Sequence, residues 1–236
     1  MMSGIDSDED EHPSLGLPTE GVLKTYTLYY TGRRMRFRIH TGGSKGSCVY
    51  HVSSTFTPGT PDVQLRAGDS DDGPVVAFGK FHSFSGNITI GTCDDPGTKP
   101  GSGVIHEQVM RESGPVRSKY MFETDASAGW GGLHKRRFAW GRMAGRRNLA
   151  EYACLDAATG QRVAYVVGAG RRSPNKVGRL CVTAQTSKRF DELLLVSWFA
   201  IHEKENRDAC ETSFKSDVES LGSHPRLSHR GNVVRV

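Results

Sequence analysis

The feature that most constrains the fold is an apolar run near the end of the chain. The run begins at Leu193 and ends at Ile201, and Ser197 is its only polar residue. At about 100° per residue, a helix through this run is apolar on every side, and such a helix is buried in a protein or in a membrane. A membrane span needs about 20 apolar residues, so the run is too short for one. The sequence therefore predicts a helix surrounded by protein, with a core strand or an interface helix as the alternatives.

The sequence also indicates where this helix begins and ends. Ser187 is a candidate N-cap, because a serine oxygen accepts a hydrogen bond from an unpaired N–H of the first turn. Asp191 near the start, and Lys204 and Arg207 near the end, carry the charges that the helix dipole favours at those ends. We therefore expect the helix to end close to Arg207.

Short β-type runs separated by turn residues precede the helix. They span residues 26–30, 35–39, 48–52, 63–66, 74–80, 88–91, 104–110, 119–123, 135–140, 149–156, 162–168 and 177–184. An antiparallel sheet that closes on itself has no exposed edges, and a sheet of about twelve strands encloses more space than its own side chains fill. The predicted fold is therefore mainly β, a closed antiparallel barrel of about twelve strands around the central hydrophobic C-terminal helix.

The charge is unevenly distributed along the chain. Residues 1–20 hold six acidic residues and no Lys or Arg, so the remaining residues must carry +11 to give the net charge of +5. A segment that is acidic and lacks an apolar period does not build a core. We expect a disordered acidic tail over 1–20, a single β-barrel domain over 21–208 and a flexible C-terminal tail over 209–236.

Cysteine usage and the N-terminal residues bear on localisation. Five cysteines form no CxxC pair, which favours free thiols in a reducing compartment. No apolar stretch near residue 1 resembles a signal peptide. These patterns predict a cytoplasmic protein without a transmembrane span, which lies peripherally on a membrane if it binds lipid.

Several local patterns in the second half of the chain resemble the tubby-like superfamily, which includes tubby C-terminal domains, LURP-one-related proteins and phospholipid scramblases. The patterns are similar above all to uncharacterised fungal members. They are Arg137-Phe138-Ala139-Trp140, residues 149–156 with Gly160 and Val163-Ala164, Lys176-Val177-Gly178-Arg179-Leu180, and the helix. The resemblance covers about residues 24–207 and implies a twelve-stranded barrel around a hydrophobic helix. Because tubby domains bind phosphoinositides, it also implies that such binding is worth testing, although none of the family's binding residues can be placed on this chain.

Motifs of enzymes and metal sites are incomplete in this sequence. The stretch from Gly168 to Ser173 lacks the third glycine of a dinucleotide-binding loop. His202-Glu203 lacks the second histidine of a zinc helix, because position 206 holds Asn. We therefore expect no enzyme, no catalytic residues, no metal and no cofactor.

Two basic clusters are the candidate ligand-binding residues. Alternation along a strand places Arg34, Arg36 and Arg38 on one face, and Arg171, Arg172 and Lys176 form a second group. Arginine forks match the geometry of phosphate. The expected function is binding of an anionic phospholipid such as a phosphoinositide, or of a phosphorylated partner.

Other functions remain open at this point. The basic clusters are equally typical of a solvated barrel exterior, in which case the chain is a protein-interaction scaffold. Nucleic-acid binding is a further alternative, which the sequence disfavours because exposed aromatic residues do not alternate with the basic ones. The sequence does not indicate an oligomeric state.

Overall fold

The computed structural model describes residues 21–31, 36–42, 46–82, 87–93, 106–113, 118–125, 135–143, 152–168 and 176–222. For 106–113, 118 and 211–222, only the backbone is described. The predicted disordered tail over 1–20 lies outside these residues.

In the described part of the chain, twelve strands precede one helix. The first six strands are β1 (Lys24–Tyr30), β2 (Arg36–Thr41), β3 (Cys48–Ser54), β4 (Val63–Ala67), β5 (Val75–Phe81) and β6 (Ile88–Thr92). The next six are β7 (His106–Ser113), β8 (Ser118–Thr124), β9 (Arg136–Arg142), β10 (Tyr152–Asp156), β11 (Arg162–Gly168) and β12 (Lys176–Val182). Each strand overlaps one of the runs predicted from the sequence, because a short β-type run bounded by turn residues marks each one.

The strands form one antiparallel sheet. Each strand from β2 to β11 pairs with its two neighbours in the chain. β1 pairs with β2 on one side and with β12 on the other. The expectation of a mainly β fold with one C-terminal helix is confirmed.

Side-chain alternation separates the core side of the sheet from its outer side. In β2, Phe37 and Ile39 are buried in the main core, whereas Arg38 is exposed. In the neighbouring β3, Tyr50 pairs with Ile39 and Val52 with Phe37, and both are buried in the same core. Because directly paired residues lie on the same side of a sheet, the arginines of β2 lie on the outer side.

The helix α1 (Lys188–Gly222) carries the apolar run, and all residues from 190 to 201 are buried. Ser187 caps it as predicted, since the backbone N–H of Phe190 donates to Ser187 Oγ over 3.2 Å. The expected end near Arg207 is wrong, because the helical backbone continues to Gly222 and includes part of the predicted flexible tail. In the described part of the chain, no helix has both the length and the apolarity to cross a bilayer.

Two contacts fix the position of α1 against the sheet. Trp140 Nε1 of β9 donates to Ser197 Oγ over 2.9 Å, and both side chains are buried. The single polar residue of the apolar run therefore has a partner. On β5, a Cβ added to Gly79 would lie 2.9 Å from the Cβ of Ala200. Only glycine permits this close approach of strand and helix.

Polar contacts hold the start of α1. Asp191 accepts from Lys24 Nζ over 2.7 Å and from the Tyr26 hydroxyl over 2.9 Å. The Tyr50 hydroxyl donates to Glu192 over 3.0 Å. Burial raises the pKa of Glu192, against the lowering effect of its bond with Tyr50. These contacts hold Asp191 in the first turn, where the helix dipole stabilises negative charge, and Glu192 directly after it.

A second group of polar contacts lies further along α1. Glu205 accepts from the Tyr152 hydroxyl and from Arg142 Nη2, each over 2.5 Å. Arg207 bonds Asp62 over 2.8 Å and Glu203 over 2.7 Å. Arg207, which is expected near the helix end, is therefore engaged in the middle of a longer helix.

Candidate functional site

A row of polar side chains crosses five adjacent strands on the outer side of the sheet. Lys176 of β12 pairs with Tyr29 of β1, and Tyr29 pairs with Arg38 of β2. Arg38 pairs with His51 of β3, which pairs with Arg66 of β4. A register shift between Leu28 and Tyr29 accompanies the Lys176 pairing. The row therefore brings together residues that lie far apart in the sequence.

Two further basic residues border this row. Arg36 of β2 lies two positions before Arg38, and Arg179 of β12 pairs with Thr27 of β1. Arg38 and Arg179 are exposed, whereas the other basic residues are half-buried. We call the resulting surface the basic face, which consists of Arg36, Arg38, Arg66, Lys176 and Arg179.

The structure joins some of the predicted site residues. Arg36, Arg38 and Lys176, which come from both predicted clusters, lie on the basic face. Arg34, Arg171 and Arg172 lie outside the described residues. Two members of the face, Arg66 and Arg179, do not belong to the predicted set. Alternation within β4 indicates that Arg66 shares a side with Gln64, but only the strand register shows that this side continues the row of Arg38.

Three arginines of β9 are paired with carboxylates. Arg137 bonds Glu123 over 2.5 Å, and Arg136 lies 3.3 Å from Asp156. By contrast, no ion pair engages Arg38, Lys176 or Arg179 among the described residues. A positive surface without such partners is available to an external anion.

His51 is buried beneath the basic residues although it lies on the outer side of the sheet. Burial lowers the pKa of His51, and the guanidinium groups of Arg36, Arg38 and Arg66 lower it further. The imidazole is therefore neutral at pH 7. The positive charge of the basic face at this pH comes from its Arg and Lys residues.

A polar cavity of about 310 Å³ adjoins the basic face. Arg36, Gln64, Arg66 and Asp71 line it together with five hydroxyl-bearing residues, which are Ser53, Ser54, Thr55, Thr57 and Thr60. Arg66 is held within this site, since it donates to Gln64 Oε1 over 2.7 Å and to the carbonyl of Gly73 over 2.8 Å. Guanidinium and hydroxyl donors of this kind suit a small polar anion.

Asp71 is the carboxylate of this cavity, and it contacts two residues. Its Oδ2 accepts from Arg36, and its Oδ1 lies 2.8 Å from Nδ1 of His51. The second approach does not have hydrogen-bond geometry, so both of those atoms are buried without a hydrogen bond among the described residues. Asp71 and His51 do not belong to the predicted site residues. The sequence allows His51 to lie beside a carboxylate in space, but no motif links it to a turn aspartate.

The described residues include no group of three or more His, Cys, Asp or Glu side chains placed to hold a metal ion. Comparison of the chain with protein-family models, curated proteins and solved structures found no match. The resemblance to the tubby-like superfamily therefore stays a prediction.

Proposed function

We propose that the chain is a non-enzymatic tubby-like β-barrel that binds anionic phospholipid, such as a phosphoinositide, through the basic face. The pairing of β1 with both β2 and β12 supports closure of the sheet around the buried part of α1. The observation that carries the binding proposal is the row from Lys176 to Arg66, which places basic groups on β12, β2 and β4 within five adjacent strands.

A membrane surface suits the arrangement of these groups. Arg38 and Arg179 are exposed on neighbouring parts of the sheet rather than enclosed in a cleft. Each basic group near an anionic membrane contributes about 1 kcal/mol to binding. An exposed array of several such groups therefore gains affinity from a surface that presents many phosphates at once.

The same face is less suited to nucleic acid. Single-stranded nucleic acids stack their bases on exposed aromatic rings. Tyr29, the aromatic residue of the row, packs edge-on against His40 with ring centroids 5.1 Å apart. Because the Tyr29 ring already packs against His40, it is poorly placed to stack on a base. This favours lipid over nucleic acid as the partner of the basic face.

Sedimentation with lipid vesicles tests the proposal. We expect the protein to bind vesicles that contain a phosphoinositide and not vesicles of neutral lipid alone. The double variant Arg38→Gln/Arg179→Gln should bind roughly 30-fold more weakly, which corresponds to about 1 kcal/mol for each lost charge.

A second double variant controls for the loss of charge. Arg137→Gln/Arg162→Gln removes the same charge from β9 and β11, where Arg137 is paired with Glu123 and Arg162 stacks on Tyr165 at 4.7 Å. This variant should bind vesicles nearly as well as the wild type. Equal losses in both variants, or binding to oligonucleotides but not to vesicles, would contradict the proposal, and binding to neither ligand would favour a scaffold.

A further inference from the structure

The turn between β4 and β5 places Asp71 on the cavity beside the basic face. The base of this turn is fixed, since Ala67 N–H donates to the carbonyl of Pro74 over 2.9 Å and Arg66 holds the carbonyl of Gly73. At the tip of the turn, the Asp71 side chain is 39% exposed. The side chain can therefore leave the cavity by rotation, without unfolding of the strands on either side.

The contacts of Asp71 with the protein are incomplete. One carboxylate oxygen accepts from Arg36, but the other faces His51 Nδ1 without a hydrogen bond. His51 is only 4% exposed. A buried polar atom without a partner costs free energy and is a sign that a ligand or water completes the site. The positions of Arg36 and His51 thus fit an anion with more acceptor oxygens better than they fit this carboxylate.

We infer that the cavity is a binding position for a single phosphate group and that Asp71 is the internal anion that occupies it in the absence of ligand. A phosphate has more acceptor oxygens than a carboxylate, so it can bond Arg36, His51 and a hydroxyl of the cavity wall at once. Gln64 and the hydroxyls from Ser53 to Thr60 are placed to contact the group esterified to the phosphate. The ligand class rests on the proposed function. The cavity adds a defined position for one phosphate group, for which the Asp71 carboxylate competes.

Asp71→Asn tests this competition, because asparagine keeps the size of the side chain and removes its negative charge. We expect inorganic phosphate, titrated at constant ionic strength and pH 7, to bind the variant roughly tenfold more tightly than the wild type, the effect of one charge-assisted hydrogen bond. Isothermal calorimetry measures the affinity, and thermal unfolding with and without phosphate checks it.

The matched control is Asp72→Asn, which removes the same charge from the next position of the same turn. The gain in affinity for phosphate should be smaller in this variant, because the exposed Asp72 does not line the cavity. Adding Arg36→Gln to Asp71→Asn should abolish the gain. Equal affinities of the Asp71 and Asp72 variants, or a gain that survives the loss of Arg36, would overturn the inference.

Vesicle sedimentation of the same variants separates this inference from the proposed function. Tighter phosphate binding by Asp71→Asn without any vesicle binding would overturn the lipid proposal alone. Suppose instead that vesicle binding depends on Arg38 and Arg179 but Asp71→Asn does not bind phosphate more tightly. This result would overturn only the inference that Asp71 competes with phosphate.

Discussion

At the scale of single residues, Ser197 is the hydrogen-bonding residue of an otherwise apolar run. Its hydroxyl accepts from Trp140 Nε1 and donates to the carbonyl of Leu194 over 3.1 Å. Ser197→Ala leaves the indole N–H buried without a partner, so we expect a loss of about 1–3 kcal/mol in the free energy of unfolding, measured with urea. Trp140→Phe in the same background removes the unsatisfied donor, and the two losses should then be less than additive. Strictly additive losses would show that the hydrogen bond between Trp140 and Ser197 contributes nothing to the free energy of unfolding.

At the scale of elements, α1 forms the centre of the core. Leu195 is fully buried, and a carboxylate placed there costs several kcal/mol of desolvation, against a total stability of about 5–15 kcal/mol for a folded domain. Leu195→Asp should therefore abolish cooperative thermal unfolding. Leu155→Asp on β10, where the leucine is 38% exposed, is the control and should remain folded. If Leu195→Asp instead melts like the wild type and no longer sediments with vesicles, α1 is a membrane anchor and not a core helix.

The elements were largely predictable from the sequence, whereas the site was not. The strands and the cap at Ser187 depend on residues close together in the chain, such as the alternation from Arg36 to Ile39. The helix extends beyond its predicted end, since Arg207, expected to stabilise the final turn, instead bonds Asp62 across the fold. The contact of His51 with Asp71 depends on strand register and on the shape of a turn. Neither of these leaves a signal in a single sequence.

At the scale of the whole molecule, the partly buried His202 makes stability depend on pH. Burial lowers the pKa of His202, and Arg142 lowers it further against the opposing effect of Glu205. The unfolded chain therefore takes up a proton at a higher pH than the folded one, and this contribution to stability is lost as the pH falls below the ordinary histidine pKa of about 6.5. We expect His202→Gln to lose less stability than the wild type between pH 8 and pH 5 in urea titrations. Parallel curves for the two proteins would exclude this role.

The pairing of β1 with β12 also determines when the molecule can fold. The bond from Lys24 to Asp191 joins residues 167 positions apart, and the apolar run that fills the core follows all twelve strands of the described part of the chain. Contacts between distant residues slow folding, and incomplete chains with exposed apolar strands aggregate. A ribosome must therefore synthesise most of the chain before a core can form, and the yield of soluble protein depends on how well the cell protects the unfinished strands from one another.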